Sequence, residues 1–296
     1  MKEIFSPAKI NLGLKVLNKR EDGYHNLQSI FLPIGFGDVL FVEELPEKKS
    51  FEITIDSKNL NSESAKEISK IEKGNLENNL VFKVWKEFLS EKSYRVHIQK
   101  NIPLGGGLGG GSSNAGSFLK SFLTPDRLHT QDTIARASKI GADIPFFLYS
   151  TPCFVEGIGE VITPISVAKG MGILTIFPFT TPTGPMFQTL NRSLHLDPFS
   201  KPRSGIPEKV QKTVKLGAWK DLSPDWENDF TQISFQFQPL LETIHREFLR
   251  EGAVYSSLTG TGSSLYGLFS SETERAFVLE RMVKKFPSLK FVPFEF

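Results

Sequence analysis

The sequence predicts a mixed α+β protein of two domains, and three observations carry that reading. The chain opens as short β-prone segments that give way to strands and helices in alternation. Its C-terminal part runs β-α-β-β-α-β apart from an extra helical, proline-bearing stretch, which is the split βαβ or ferredoxin-like order. Its 296 residues, 39% of them hydrophobic, can bury one large core or two moderate ones, and two is the default at this length.

In order along the chain, Lys9–Val16 alternates polar and apolar residues, and Val39–Glu43 and Phe51–Ile55 are short and β-prone, so all three read as strands. Asp22-Gly23 marks a turn between the first two. The charged stretch Glu43–Gly74 holds few large apolar residues after Ile55 and reads as a surface excursion. From Asn79, the apolar Leu80, Val81, Val84, Trp85, Phe88 and Leu89 recur at helical spacing. In the next strand, Tyr94, Val96 and Ile98 alternate with Arg95 and His97, which must face the other side of the sheet.

A glycine cluster follows, and then Ala115, Phe118, Leu119 and Phe122 again show helical spacing until Thr124-Pro125 ends the run. A helix near Thr133–Ile140 stops at Gly141. Phe146–Tyr149 and Cys153–Glu156 read as a hairpin, with Gly157 and Gly159 at the next turn. The domain boundary is placed near Ser166, giving domains 1–165 and 166–296. Beyond it come strand Ile173–Phe177, helices around Phe187–Leu194 and Pro239–Arg250, strands Ala253–Leu258 and Leu265–Phe269, helix Glu272–Lys285 and strand Leu289–Val292.

Composition narrows the partners. Thirty-five basic and 33 acidic residues leave a net charge of +2, which offers no global attraction for nucleic acid or an anionic membrane. One cysteine, Cys153, cannot form an internal disulfide, and no cysteines and histidines stand at zinc-ligand spacing. The N-terminus reaches Pro7 without an apolar signal region, and no stretch approaches the about 20 apolar residues of a membrane span. The expectation is a cytoplasmic protein, a monomer or weak homodimer, that acts on small molecules.

The chemistry is announced by Pro103, Leu104, Gly105, Gly106, Gly107, Leu108, Gly109, Gly110, Gly111, Ser112 and Ser113, between a strand and a helix. Glycines let the backbone take positive φ and approach a ligand closely, while successive N–H groups and the helix N-terminus attract phosphate. The Ser112 and Ser113 hydroxyls can add hydrogen bonds, cap the helix or complete a Mg²⁺ shell, for which Ser113 is the candidate. A flexible linker would not be expected between a clean strand and a clean helix. Gly105, Gly107 and Gly110 satisfy the dinucleotide pattern G-x-G-x-x-G, but no second strand with an acidic residue follows. A Walker A loop is excluded because no lysine follows the glycines before Ser112.

At these residues the sequence resembles the GHMP kinases. Pro103–Asn114 is similar to their ATP loop, and further motifs follow in the family's order. They are Ser6-Pro7-Ala8-Lys9-Ile10-Asn11-Leu12, Asp22-Gly23-Tyr24-His25, Gly141-Ala142-Asp143-Ile144-Pro145-Phe146-Phe147, Glu156-Gly157-Ile158-Gly159-Glu160 and Leu258-Thr259-Gly260-Thr261-Gly262-Ser263-Ser264. Asp-Gly-Tyr-His is particular to the branch acting on a cytidylated branched polyol. The resemblance implies a ribosomal-S5-like N-terminal domain that binds ATP and a ferredoxin-like C-terminal domain on the substrate side. It also implies transfer of the ATP γ-phosphate, with Mg²⁺, to the 2-hydroxyl of cytidylated methylerythritol on a route to isoprenoid precursors. Another small-molecule acceptor, such as homoserine, mevalonate or a sugar, and a non-catalytic nucleotide sensor are the alternatives.

Phosphoryl transfer asks for an anion cradle, a base for the alcohol and a cation near the transferring group. The resemblance makes Asp143 the base and Lys9 its electrostatic partner. By residue type alone, an aspartate after a helix suits a cap or turn, and a lone lysine suits solvent. Pro145 predicts an extended neighbour. Asn11, Tyr24 and His25 match the family's substrate residues, with Tyr24 stacking on a cytosine and His25 hydrogen-bonding it. Phe187, four residues after Thr183, matches a second stacking aromatic, although Gly184-Pro185 suggests a kink there. Asn79 matches a nucleotide-side position and equally suits a helix N-cap. Gly260, Thr261 and Gly262 lie between two strands, where glycine permits close backbone contact with phosphates. His97, His129, His195 and His245 receive no role.

Overall fold

A computed structural model of the chain describes residues 1–46, 49–60, 65, 76–194, 205–222 and 226–296. These form two units, each drawn from several stretches of chain. One comprises Met1–Ala8, Phe36–Leu104 and Gly109–Thr151, and the other Lys9–Gly35, Gly105–Leu108 and Pro152–Phe296. The interlacing arises because two long strands, β1 (Lys2–Lys19) and β2 (His25–Leu45), each contribute one end to either unit.

In the first unit, β3 (Phe51–Asp56), α1 (Leu80–Phe88) and β4 (Ser93–Gln99) follow one another. β4 pairs in parallel with β3 and antiparallel with Val39–Leu45 of β2, and α1 lies in the long connection that a parallel pair requires. The predicted alternation holds, with Tyr94, Val96 and Ile98 buried and Arg95 and His97 exposed. Arg95 reaches Glu43 and Glu52 on the flanking strands. α2 (Gly110–Phe122), α3 (Pro125–Leu128), α4 (Gln131–Ile140) and α5 (Ile144–Tyr149) complete the unit. Leu40, Val84, Tyr94, Phe118 and Ile144 meet in its core, with Phe118 edge-on to Tyr94. Much of the expected 43–74 excursion lies outside the described residues.

One element differs from expectation. Phe146–Tyr149 is the helix α5 and not a hairpin strand, so the hairpin is formed downstream. Phe146, Phe147 and Leu148 are all fully buried, and an unbroken apolar run carries no period that separates strand from helix. Pro145 sits in the first helical turn, where its missing N–H costs nothing, so Ile144 is helical rather than extended.

In the second unit, β1 and β2 are joined at Asp22-Gly23, where Gly23 takes φ +87° and Arg20 N donates to Tyr24 O at 2.7 Å. β5 (Cys153–Gly157) pairs with Leu27–Phe31 of β2, and β6 (Val161–Pro164) pairs with β5. The chain continues through β7 (Met171–Ile176), α6 (Thr183–Leu194), α7 (Glu208–Leu216), α8 (Thr231–Phe237) and α9 (Pro239–Arg250). It ends with β8 (Tyr255–Leu258), β9 (Leu265–Phe269), α10 (Glu272–Lys285) and β10 (Lys290–Glu295). The four last-named strands of the sheet run in the order β10-β7-β9-β8, antiparallel throughout, as the predicted ferredoxin-like order requires. Leu241, Ile244 and Phe248 of α9 and Val278 and Met282 of α10 share the core with Ile173 and Leu265. A second cluster joins Leu14 and Val16 of β1 to Met186, Leu190, Phe230 and Ile233. Among the described residues, no helix is long and apolar enough to cross a membrane.

Candidate active site

The glycine loop contributes to both units. Its second half opens α2. Gly109 is the N-cap residue at φ +70° and has no side chain to bond the first turn. The N–H groups at that helix start receive no side-chain cap and can serve an anion, which the helix dipole also favours. Beneath the turn, Ser113 is fully buried. Its hydroxyl donates to Pro7 O at 2.6 Å and lies 2.7 Å from Ser6 Oγ. It faces the interior, so the Mg²⁺ reading does not fit Ser113, and Ser112 is the half-exposed hydroxyl of the pair.

A cavity of about 130 Å³ lies beside this helix start, lined by Asn79, Leu80, Ile98, Lys100, Leu104 and Gly111 among others. Cavities of about 150 Å³ accept a single aromatic ring, and this one is of the same order. Asn79 is both wall and cap, since its Oδ1 accepts from Val81 N at 2.8 Å. The cavity rests on a polar network absent from the sequence reading. Asp38, fully buried, pairs with Lys100 and accepts from the backbone N–H groups of Asn101 and Ile102 at 2.7 and 2.8 Å. Asn114 Nδ2 donates to Asp38 and to Ser6 Oγ. An aspartate in an ordinary strand carried no signal of this role.

Asp143 stands at the N-cap position of α5, half-buried, and its carboxylate makes no capping bond. The carboxylate is therefore not consumed by the helix. Two glycines hold this segment against α2. A Cβ on Gly116 would lie 2.5 Å from Phe147 Cβ, so α5 and α2 approach more closely than any side chain allows. A Cβ on Gly141 would lie 3.4 Å from Ser112 Oγ, which puts the stretch leading into Asp143 beside the glycine loop's serines.

In the second unit, the first half of the loop leans on the other glycine-rich turn. Gly107 has φ +74°, and a Cβ there would meet Thr259 O at 2.1 Å. Ser264 N donates to Gly106 O at 3.2 Å, and Lys9 N to Leu108 O at 3.1 Å. Lys9 is 4% exposed, not a solvated lysine. Its Nζ donates to Asn11 Oδ1 at 2.5 Å and lies 4.7 Å from the Phe31 ring centroid. Asn11 is 0% exposed, so it does not fit the predicted direct substrate contact. Gly260 and Gly262 both have positive φ, as close backbone contact demands.

His25 stacks on Phe187, with ring centroids 4.9 Å apart and planes 29° from parallel, while Tyr24 is 61% exposed. The suspected kink at Gly184-Pro185 is absent, because both residues fall in the first turn of α6. Thr183 Oγ1 lies 3.3 Å from Thr261 Oγ1, and Thr181, which the sequence did not single out, donates to Thr261 O at 2.8 Å. Among the described residues, no group of three or more His, Cys, Asp or Glu side chains could hold a metal ion. His195 lies outside the described residues.

The model of the GHMP kinases N terminal domain matches residues 79–151, and that of the GHMP kinases C terminal matches 216–288. The chain is 39% identical over 299 residues to the 4-diphosphocytidyl-2-C-methyl-D-erythritol kinase of Leptospira biflexa serovar Patoc, covering 98% of this chain and 97% of that one. It is 37% identical to the Bacteroides thetaiotaomicron enzyme of the same name, covering 90% and 92%. Its fold matches a crystal structure of 4-(cytidine 5'-diphospho)-2C-methyl-D-erythritol kinase with a TM-score of 0.73 at 24% identity, covering 99% of both chains. Mevalonate kinase of L. major shares the fold at a TM-score of 0.69 and 14% identity, covering 100% and 95%. The chain therefore belongs to the GHMP kinases, ATP-dependent kinases of small molecules, and within them to the 4-diphosphocytidyl-2-C-methyl-D-erythritol kinase family.

Proposed function

We propose that this kinase phosphorylates the 2-hydroxyl of 4-diphosphocytidyl-2-C-methyl-D-erythritol, a step toward isoprenoid precursors by the non-mevalonate route. The reading rests above all on the aromatic group of His25, Phe187 and exposed Tyr24. A pyrimidine needs flat faces for affinity and polar edges for identity, and this group offers both. Homoserine and mevalonate have no ring to stack, and the named relatives support the same acceptor. In functional terms, residues 1–165 carry the nucleotide site together with Lys9, Tyr24, His25 and Asp143 of the acceptor side, and residues 166–296 supply Phe187 and the second glycine turn.

ATP supplies the γ-phosphoryl group. The uncapped first turn of α2 binds phosphate oxygens through backbone N–H groups, and the cavity beside Asn79 receives the base. Mg²⁺ would take most of its ligands from phosphate oxygens and water, as this ion prefers, with the Ser112 hydroxyl the protein group free to join them. Asp143, whose carboxylate caps nothing, accepts the proton of the 2-hydroxyl as that oxygen attacks. The buried Lys9 ammonium orients the hydroxyl and offsets charge on the phosphoryl group. Thr183, Gly260, Thr261 and Gly262 hold the acceptor's diphosphate.

The test is ADP release by the purified protein with a panel of acceptors. Turnover is expected with the cytidylated substrate and not with mevalonate, homoserine or galactose. Turnover with homoserine or mevalonate in place of it would sink the proposal.

A further inference from the structure

Both ends of the Asn11 amide are engaged within the second unit. Oδ1 accepts from Lys9 Nζ at 2.5 Å and from Gly260 N at 2.8 Å, and lies 3.2 Å from Thr259 Oγ1, whose hydrogen goes to Gly107 O. Nδ2 donates to Ser29 Oγ at 2.9 Å, and the main-chain carbonyl accepts from Tyr266 Oη at 2.7 Å. Chemistry fixes which end is which. Ser29 gives its only hydrogen to Gly13 O at 2.5 Å, so it presents a lone pair to Asn11 and must meet the amide nitrogen. The Lys9 ammonium and the Gly260 N–H can only donate, so they must meet the oxygen.

We infer that Asn11 is a positioning residue, which ties the Lys9 ammonium to the second glycine turn through one shared oxygen. A lysine side chain is long and loses much rotamer entropy when fixed, and a buried ammonium is costly unless it is hydrogen-bonded. Asn11 meets both demands. The same oxygen anchors Gly260 N, while Asn228 Nδ2 holds Gly260 O at 2.8 Å and Leu258 O at 3.1 Å from the other side. Gly107 packs on that turn in its own right, with Thr259 Oγ1 donating to Gly107 O at 2.9 Å. The ammonium, the acceptor-side turn and the first half of the phosphate loop thus share one reference point. A residue in this place cannot itself face the acceptor, which accounts for the complete burial of Asn11.

The inference rests on the reading of Lys9 as a catalytic group, so the experiment separates the two. Lys9→Met, Asn11→Leu, Asn11→Asp and the two double variants are compared in single-turnover reactions with enzyme in excess, which resolve slow variants. Asn11→Leu removes the acceptor. Asn11→Asp keeps it, and so protects the turn if the leucine variant fails to fold, but exchanges a neutral partner of Lys9 for a charged one. If Asn11 acts through Lys9, each Asn11 variant slows phosphoryl transfer at least ten-fold, with ATP affinity within about three-fold of the parent. In the Lys9→Met background the same substitutions then cost less than two-fold, because the group they position is gone. Multiplicative losses in the double variants, or Asn11 variants at parental rate beside an impaired Lys9→Met, would overturn the positioning role. A Lys9→Met enzyme of parental rate would instead overturn the role of Lys9, and the inference with it.

Discussion

His25 stacks against Phe187, residues carried on β2 and α6, with ring centroids 4.9 Å apart. Phe187 also packs edge-on against Phe230, so its ring is supported from behind. Base stacking on an aromatic side chain contributes about 1–3 kcal/mol. Phe187→Ala is therefore expected to raise the KM for the cytidylated acceptor about 5-fold to 150-fold while leaving the KM for ATP unchanged. Steady-state kinetics with each substrate varied in turn checks this, and a rise confined to ATP would refute it.

Asp143→Asn keeps the shape of the side chain and removes its basicity. A positioned general base contributes typically about 10²–10⁴ in rate, and kcat should fall by that factor. ATP affinity, measured by titration calorimetry, should stay at the parental value, since the residue acts on the alcohol. Parental turnover would remove Asp143 from the chemistry.

Gly116→Ala tests the distance between α2 and α5 without touching a reacting group. The new methyl would lie 2.5 Å from Phe147 Cβ, so the helices must part, and overpacking of this kind costs about 1–3 kcal/mol. A lowered melting temperature with a kcat loss beyond the unfolded fraction is expected, because α5 carries Asp143 at its start. Full specific activity of the folded fraction would show that this spacing does not matter.

Asp38 and Lys100 form an ion pair with almost no exposure on either side. Removing one member of a buried pair leaves an uncompensated charge and costs about 3–5 kcal/mol. Asp38→Ala should lose about that much in urea unfolding, and Asp38→Leu combined with Lys100→Met should lose less. Equal losses in the two proteins would argue against the pair as the source.

His245 supplies a pH test. Burial pushes its pKa below the ordinary 6.5, with smaller opposing effects of Glu242, which raises it, and Arg246, which lowers it. The unfolded chain therefore binds the proton more readily than the folded one. The stabilisation is fully present above pH 6.5 and declines as pH falls through that value toward the folded pKa. His245→Gln should flatten the acid limb of a stability profile between about pH 7 and 5. An unchanged slope would refute the assignment.

Much of the fold was legible because local periodicity and punctuation carry it. Tyr94-Arg95-Val96-His97-Ile98 alternates, Asn79 caps, Gly141 stops a helix, and the C-terminal strands and helices came in ferredoxin-like order. Phe146–Tyr149 was misread because an all-apolar run has no period, and its burial on every side is a tertiary fact. The glycine loop was legible as well, since crowded glycines before a helix have few other uses. By itself the sequence determined a glycine-rich loop suited to phosphate, because this depends on residue type and spacing along the chain, and its motifs carried the resemblance to the GHMP kinases. Only the tertiary structure decided what each polar group spends its hydrogen bonds on. It turned Ser113 and Asn11 inward, exposed the Asp38–Lys100 network and left the Asp143 carboxylate uncapped. Those outcomes hinge on partners distant in the chain, such as Pro7 for Ser113 and Gly260 for Asn11, and no local pattern encodes a partner's position.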